Sequence, residues 1–334
     1  INSVFLLISL LILIKFKKRY FSKKYIFFCF ISASIVFLLL ACSNVYRPDA
    51  GLYHLPYINI LNNEKIIIGL SNLHFRFGHT SIIQYLSASF NNHIFNEKGI
   101  LIPHALIFSF FLMFLIKKIF QEKNKFILFI LFCFFSFVMF RMNRYSSFGN
   151  DAPSHFYYIY LIILAIYFVH NNNNYFNGLN KIILVSIFIF FNKITMLMSL
   201  FIPIIFFFRK EFYKIIFSKT FIILIFVFFS WMFKNILISG CFSFPVEQTC
   251  LKSLYWFDKS EDRRSNAKSG RIENEAWTKG APNQTEKNFE EFISSNDWIE
   301  VWINNHGIKI LKKIGPFLIF MLFISAYIIF KESK

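Results

Sequence analysis

Acidic residues are scarce in this chain, and the scarcity is uneven. Its 334 residues include 18 Asp and Glu against 36 Lys and Arg, and Asp49 and Asp151 are the only aspartates in the first 257 residues. Both lie at the edges of long apolar runs, where an ionisable side chain is costly and usually has a function. The two aspartates are therefore the leading candidates for functional residues.

Several signatures of soluble enzymes are also missing. The sequence has no Gly-rich nucleotide-binding loop, no Cys/His spacing typical of zinc sites and no serine-nucleophile elbow, so it offers no motif for those chemistries. Cysteine is rare, with five residues in all. Of these, Cys241 and Cys250 share one polar segment and could form a disulfide in an oxidising compartment.

Apolar and aromatic residues are abundant: 56% of the chain is hydrophobic and 21% is aromatic, with 50 Phe. Several apolar runs approach the ~20 residues that a helix needs to cross a bilayer. The composition predicts an all-α polytopic membrane protein with about nine spans. We place them at 1–14, 25–43, 101–116, 126–140, 156–170, 181–192, 194–208, 219–235 and 314–330. Because the chain begins without Met inside an apolar run, we expect a fragment.

The basic residues indicate an orientation. Most Lys and Arg before residue 236 fall in alternate short connections, and cytoplasmic loops carry such an excess. The segments 44–100, 141–155 and 236–313 and the turn at Lys193 then face outward. The net charge of +18 is explained by this bias, so we predict membrane lipids and no nucleic acid as partners. The predicted domains are a membrane core at 1–235, an outward polar loop at 236–313 and a final span with a cytoplasmic tail at 314–334.

The outward segments also contain amphipathic stretches. Apolar residues within 80–90 share one helical face, which predicts a helix lying along the membrane surface. Residues 286–305 have a similar pattern and predict a second amphipathic helix. The charged stretch 257–282 is predicted as loop.

Asp49 is the strongest candidate for catalysis. It follows Pro48, and Tyr53 and His54 come one helical turn later. A carboxylate here could accept a proton from a hydroxyl nucleophile, or with Asp151 it could hold a divalent cation. The alternative is a helix cap, at which each aspartate accepts backbone amides.

A second set of residues is suited to binding an anionic substrate. Lys193 interrupts two apolar runs, so it either reaches to the interface or binds a phosphate. Arginine pairs well with phosphate oxygens, and histidine next to a carboxylate can titrate near neutral pH. The remaining candidates are His74, Arg76, Arg144 and His155.

With these residues identified, the chain resembles the GT-C superfamily of membrane glycosyltransferases. It is most similar to an uncharacterised bacterial branch related to mannosyl- and arabinosyltransferase-like proteins that use polyprenyl-phosphate sugars. The resemblance rests on 48–56, 69–78, 151–153 and the paired spans around Lys193. It covers roughly 25–240. The chain departs from the pattern by having no paired acids at Asp49.

The resemblance implies a GT-C-like helical bundle with interfacial helices, and a reaction. A sugar would pass from a polyprenyl-phosphate-linked donor to a glycan, lipid or protein acceptor, with inversion, on the outer face of a bacterial inner membrane. Asp49, Asp151 and His54 would be catalytic. Tyr53, His74, Arg76, Arg144, His155 and Lys193 would bind substrate, and a divalent cation at Asp49 and Asp151 stays open.

Two other functions fit the same composition. An O-antigen polymerase or ligase would use the late outward loop, with Arg263, Arg264, Arg271 and His306 as the key residues. A transporter would place acidic groups within broken helices near the middle of the membrane. The predicted spans contain no acidic residue, which counts against transport.

Overall fold

A computed structural model describes residues 23–43, 48–64, 66–140, 148–170, 175–206, 215–259, 267–280 and 288–332. Within these ranges the chain is helical and has no β-strand. In chain order the α-helices are α1 (Lys23–Ser43), α2 (Leu55–Asn63), α3 (Ile82–Ala88), α4 (Leu101–Gln121), α5 (Lys125–Phe140), α6 (Asp151–His170), α7 (Tyr175–Asn192), α8 (Phe201–Ile205), α9 (Lys219–Ser239), α10 (Ala267–Thr278), α11 (Phe289–Ser294), α12 (Trp298–Trp302) and α13 (Ile308–Glu332).

Shorter helical turns join these elements. Among the described residues, π-helices lie at Ala50–His54 and Ile303–Gly307. In the same ranges, 3-10 helices lie at Leu70–Asn72, Phe75–Gly78, Asn96–Ile100, Ile194–Leu200 and Glu247–Thr249.

In the part of the chain that the structure describes, four helical segments are long and apolar enough to cross a membrane, namely Tyr25–Ser43, Asn96–Gln121, Asp151–His170 and Lys219–Ser239. Three shorter apolar helices lie at Lys125–Met139, Phe176–Asn192 and Ile194–Ile205. The chain is therefore compatible with a membrane protein. Of the nine predicted spans, 1–14 lies outside the described residues, and 314–330 lies within α13.

The predicted span at 194–208 is wrong as a single helix. The segment begins as the 3-10 helix Ile194–Leu200, with Met196 in a non-helical conformation, and becomes α8 only at Phe201. Proline at position 203 explains the change, because its ring would clash with the carbonyl four residues earlier in a continuous α-helix.

Two predictions for the late polar region also need correction. The stretch 257–282, predicted as loop, contains α10, in which Ala267, Gly270 and Ala276 are buried. The helix predicted at 286–305 is divided into α11 and α12 and the second π-helix. Its break falls at residues 295–297, after the α11 helix ends at Ser294.

The chain divides into two compact units. The described residues within 1–65, 80–121 and 134–224 form the first unit, and those within 66–79, 122–133 and 225–334 form the second. One core cluster of the first unit consists of buried apolar residues from α6, α7, α9 and their neighbours, including Leu161, Leu179 and Ile189. The second unit has a smaller core around Phe75, Phe244 and Phe257.

Candidate functional site

Two residues that the sequence singled out separately are in contact in the first unit. The Nζ atom of Lys193 donates a hydrogen bond to Oδ1 of Asp151 at 2.5 Å. Asp151 is the first residue of α6, and Lys193 directly follows the end of α7. The Lys193 and Asp151 side chains are 26% and 49% exposed, respectively. The pair is therefore accessible to a ligand from solvent.

The two helix ends suit these charges. The amino end of a helix carries a partial positive charge and the carboxyl end a partial negative one. Asp151 occupies the first turn of α6, so its carboxylate is favoured there. Lys193 lies just beyond α7, and its backbone amide bonds to the carbonyl of Ile189 at 2.9 Å, so its ammonium is favoured at that end. Each charge is thus stabilised by its own helix as well as by its partner.

A buried asparagine holds the two helix ends together. Asn192 is fully buried, and its Nδ2 donates to Oγ of Ser154 at 2.7 Å and to the carbonyl of Asn150 at 3.3 Å. In return, Nδ2 of Asn150 donates to the carbonyl of Asn192 at 2.8 Å. This last bond satisfies one of the carbonyls left unpaired at the end of α7.

The same asparagine also binds the start of α3. Oγ of Ser81, just before that helix, donates to Oδ1 of Asn192 at 2.6 Å, and both side chains are fully buried. Ser154 completes the arrangement by donating to the carbonyl of Asn150 at 2.7 Å. Three separate segments therefore fix the position of the Asp151–Lys193 pair. We call Ser81, Asn150, Ser154 and Asn192 the polar clamp.

A buried histidine supports the turn before α6. His104 is 1% exposed, and its Nδ1 and Nε2 lie 3.1 and 3.2 Å from the carbonyl oxygens of Ile100 and Gly149. A neutral imidazole has one N–H donor, so only one of these contacts is a hydrogen bond when the ring is neutral. Gly149 directly precedes Asn150, so His104 helps to position the polar clamp.

Asp49 lies elsewhere in the first unit, at the amino end of the π-helix Ala50–His54. Its side chain is exposed and makes no capping hydrogen bond to the helix, so the cap alternative finds no support at Asp49. Single π-turns are rare and occur frequently at functional sites. The ring of Tyr53 lies against that of His54, with centroids 4.3 Å apart.

His54 is buried rather than solvent-accessible, at 8% exposure. Its Nδ1 atom lies 3.1 Å from Nε2 of Gln84. Gln84 is itself buried, and among the described residues its Oε1 atom has no hydrogen-bond partner. Tyr57 of α2 and Tyr85 of α3 lie nearby. Their rings meet edge to face with centroids 6.5 Å apart, and burial raises the pKa of both hydroxyls.

The remaining predicted substrate residues that the structure describes are divided between the two units. His155 is half-buried, one helical turn after Asp151. His74 and Arg76 belong to the second unit, where Nδ1 of His74 accepts the backbone amide of Arg76 at 3.1 Å and the guanidinium lies 4.7 Å from the Phe75 ring centroid. Arg144 lies outside the described residues.

Two of the four residues proposed for the late-loop alternative can be placed. Arg263 and Arg264 lie outside the described residues. Arg271 pairs with Glu275 at 3.4 Å along α10, which is an ordinary exposed pair one turn apart. His306 lies in the second π-helix. Lys234, 9% exposed in α9, is a buried lysine that was not predicted as a site residue, and its Nζ lies 3.1 Å from the Trp231 ring centroid.

The Asp151 carboxylate pairs with the Lys193 ammonium at 2.5 Å. Within the described ranges no three His, Cys, Asp or Glu side chains are grouped together. A divalent cation at Asp49 and Asp151 stays a prediction.

Asn192, Ser81, Gln84 and His104 were missed as site residues. The available signal was Asn192 itself, a polar residue that ends an apolar run directly before Lys193. Its partners are distant in sequence, so the contacts could not be read from the pattern.

The whole chain, residues 1–334, matches the family described as a domain of unknown function, DUF8201. The chain belongs to this family. No curated protein and no solved structure matches it. The polar clamp and the ion pair are therefore the main guide to what this DUF8201 domain does.

Proposed function

We propose that the protein is a multi-pass membrane glycosyltransferase. It moves a sugar from a polyprenyl-phosphate-linked donor to a glycan, lipid or protein acceptor. The reaction takes place on the outer face of a bacterial inner membrane. The observation that carries the proposal is the Asp151–Lys193 pair, in which a solvent-accessible ammonium is held at the ends of two apolar helices by a buried polar clamp.

The ammonium is the group that handles the donor. A lipid-linked phosphate brings negative charge to the membrane boundary, and Lys193 can exchange the Asp151 carboxylate for a phosphate oxygen. This exchange costs little free energy, because half-exposed ion pairs contribute only about 0–1 kcal/mol to stability. As the bond from the sugar to the phosphate breaks, Lys193 stabilises the charge that develops on the leaving oxygen.

A carboxylate accepts the proton of the acceptor hydroxyl in this scheme. The hydroxyl oxygen attacks the anomeric carbon, the phosphate leaves with the bonding electrons, and the proton passes to Asp49. Asp49 is exposed at the start of a π-helix, so it is open to an acceptor. Direct displacement inverts the anomeric centre.

The test measures transfer from a radiolabelled polyprenyl-phosphate sugar in membranes of a strain lacking the gene. The variants are Lys193→Met, Asp151→Asn and Asp49→Asn, compared at equal protein levels. The control is Lys181→Met, because Lys181 is exposed on the same α7 helix. We expect Lys193→Met and Asp49→Asn to lose about 100-fold or more in rate, and Lys181→Met to match the wild type.

Stability separates a catalytic role from a structural one. Because the ion pair is partly exposed, a double-mutant cycle over Asp151 and Lys193 is expected to give a coupling of no more than about 1 kcal/mol. Wild-type transfer rates in both single variants, Lys193→Met and Asp49→Asn, would reject the proposal.

A further inference from the structure

A cavity lies in the second unit, and none of the residues in the proposed transfer reaction lines it. It has a volume of about 350 Å³ and is lined by Asn72 and the segment 254–259. Small-molecule sites typically enclose about 300–1,000 Å³, so the cavity is large enough for a small ligand. Its wall is a short loop that follows the Cys241–Cys250 disulfide.

The cavity wall is fixed by hydrogen bonds before any ligand binds. Nε1 of Trp256 donates to the carbonyl of Ile236 at 2.9 Å, and Nδ2 of Asn72 donates to the carbonyl of Trp256 at 2.8 Å. Gly69 has a φ of +72°, and a Cβ atom there would lie 3.3 Å from Cβ of Trp256. The loop is thus packed closely against its support, and a preformed site loses little entropy on binding.

An aromatic pair, the exposed Tyr255 and the half-buried Trp256, lines the cavity. The Tyr255 side chain is 85% exposed, and its ring stands edge to face with that of Trp256, with centroids 4.9 Å apart. Aromatic rings present a large apolar face together with a polar tip. A tyrosine this exposed contributes nothing to the core, so its rigid placement on Trp256 calls for another reason.

Polar groups of three kinds surround this pair. Asp258 supplies acceptors, Lys259 supplies donors, and Asn72 supplies both. A sugar ring has the matching chemistry, since each hydroxyl donates and accepts while one face of C–H groups can lie on an aromatic ring. The lining holds one carboxylate, Asp258, and one ammonium, Lys259, so it carries no net charge that would select an anionic headgroup or phosphate.

We propose that this cavity binds a saccharide. Tyr255 and Trp256 provide the surface for the sugar ring, and Asp258, Lys259 and Asn72 bond its hydroxyls. The inference does not depend on the proposed transfer reaction, because it concerns binding by residues of the second unit alone.

The test is saturation-transfer NMR on the full-length protein in nanodiscs. The probes are methyl glycosides of glucose, galactose, mannose and N-acetylglucosamine, together with their disaccharides. We expect transfer to the ring protons of at least one probe. Tyr255→Ala is expected to weaken its binding by about tenfold, and Asp258→Asn to weaken it by a similar factor. The control is Trp277→Ala, since Trp277 is a half-exposed aromatic of the same unit.

Three results would overturn the proposal. The first is an absence of saturation transfer to any probe. The second is unchanged binding by Tyr255→Ala. The third is quenching of tryptophan fluorescence by brominated lipids in the wild type but not in Trp256→Phe. That result would identify this loop as a membrane anchor. The Lys193→Met variant separates the saccharide-binding proposal from the transferase proposal. We expect it to bind sugar in the cavity as the wild type does, whatever its rate of sugar transfer.

Discussion

Asn192 joins two other segments of the chain with its side-chain amide and its backbone carbonyl. The side chain is fully buried, and it bonds to Ser81, Asn150 and Ser154, which all belong to the first unit. A buried polar group without its partner costs about 1–3 kcal/mol. The clamp is therefore stabilising as a whole, while each member removed singly leaves its partners unsatisfied.

Replacing Asn192 with alanine tests the clamp directly. Asn192→Ala leaves the Ser81 hydroxyl without its acceptor, so we expect a loss of about 2–3 kcal/mol and an apparent Tm lower by about 5 °C or more. The measurement is thermal unfolding of purified protein in detergent. Asn177→Ala is the control, because Asn177 is exposed in the first turn of the same helix. Equal Tm values for the two variants would show that the clamp does not stabilise the fold.

At the scale of elements, apolar runs predicted the cores of the helices well and their polar ends poorly. Helices α1, α4 and α5 begin within about two residues of the predicted spans. Helices α6 and α7 begin five and six residues earlier than predicted, at Asp151 and Tyr175. A prediction from apolar runs does not detect a polar first turn, although the helix dipole favours an aspartate there.

The polar helix α10 escaped prediction for a related reason. Its exposed surface is charged, and ion pairs link Glu275 to Arg271 and Lys279 at 3.4 and 2.9 Å. The residues that it buries are small, namely Ala267, Gly270 and Ala276, and they give a weak apolar signal. The Asp151–Lys193 contact was out of reach altogether, because it joins residues 42 positions apart.

The disulfide leads to a prediction about a single loop. The structure pairs Cys241 with Cys250, the bond that the sequence left open, while Cys29, Cys42 and Cys133 are free. Denatured protein should thus take up three maleimide-PEG labels before reduction and five after it. Closing so short a loop stabilises by about 2–3 kcal/mol, so a Cys241→Ser, Cys250→Ser double variant is expected to unfold at lower temperature. Five labels without reduction would contradict the bond.

At the scale of the whole molecule, the four long apolar helices are compatible with a membrane protein, and the direction in which the chain is inserted is a separate question. The excess of basic residues in alternate connections predicts that the end of α1 faces outward and that the connection between α4 and α5 faces the cytoplasm. One residue in each place allows a direct comparison. Cys42 is an exposed thiol near the end of α1, and Lys123 is exposed between α4 and α5.

The test labels right-side-out membrane vesicles with an impermeant maleimide. We expect the wild type to react at Cys42, because Cys29 and Cys133 are buried and the other two cysteines are bonded to each other. The variant Lys123→Cys, made in a Cys42→Ser background, should react only after the vesicles are opened with detergent. Labelling of Lys123→Cys in sealed vesicles would reverse the predicted orientation. It would also place the Asp151–Lys193 pair on the cytoplasmic side, where the proposed transfer reaction would have to meet a different donor pool.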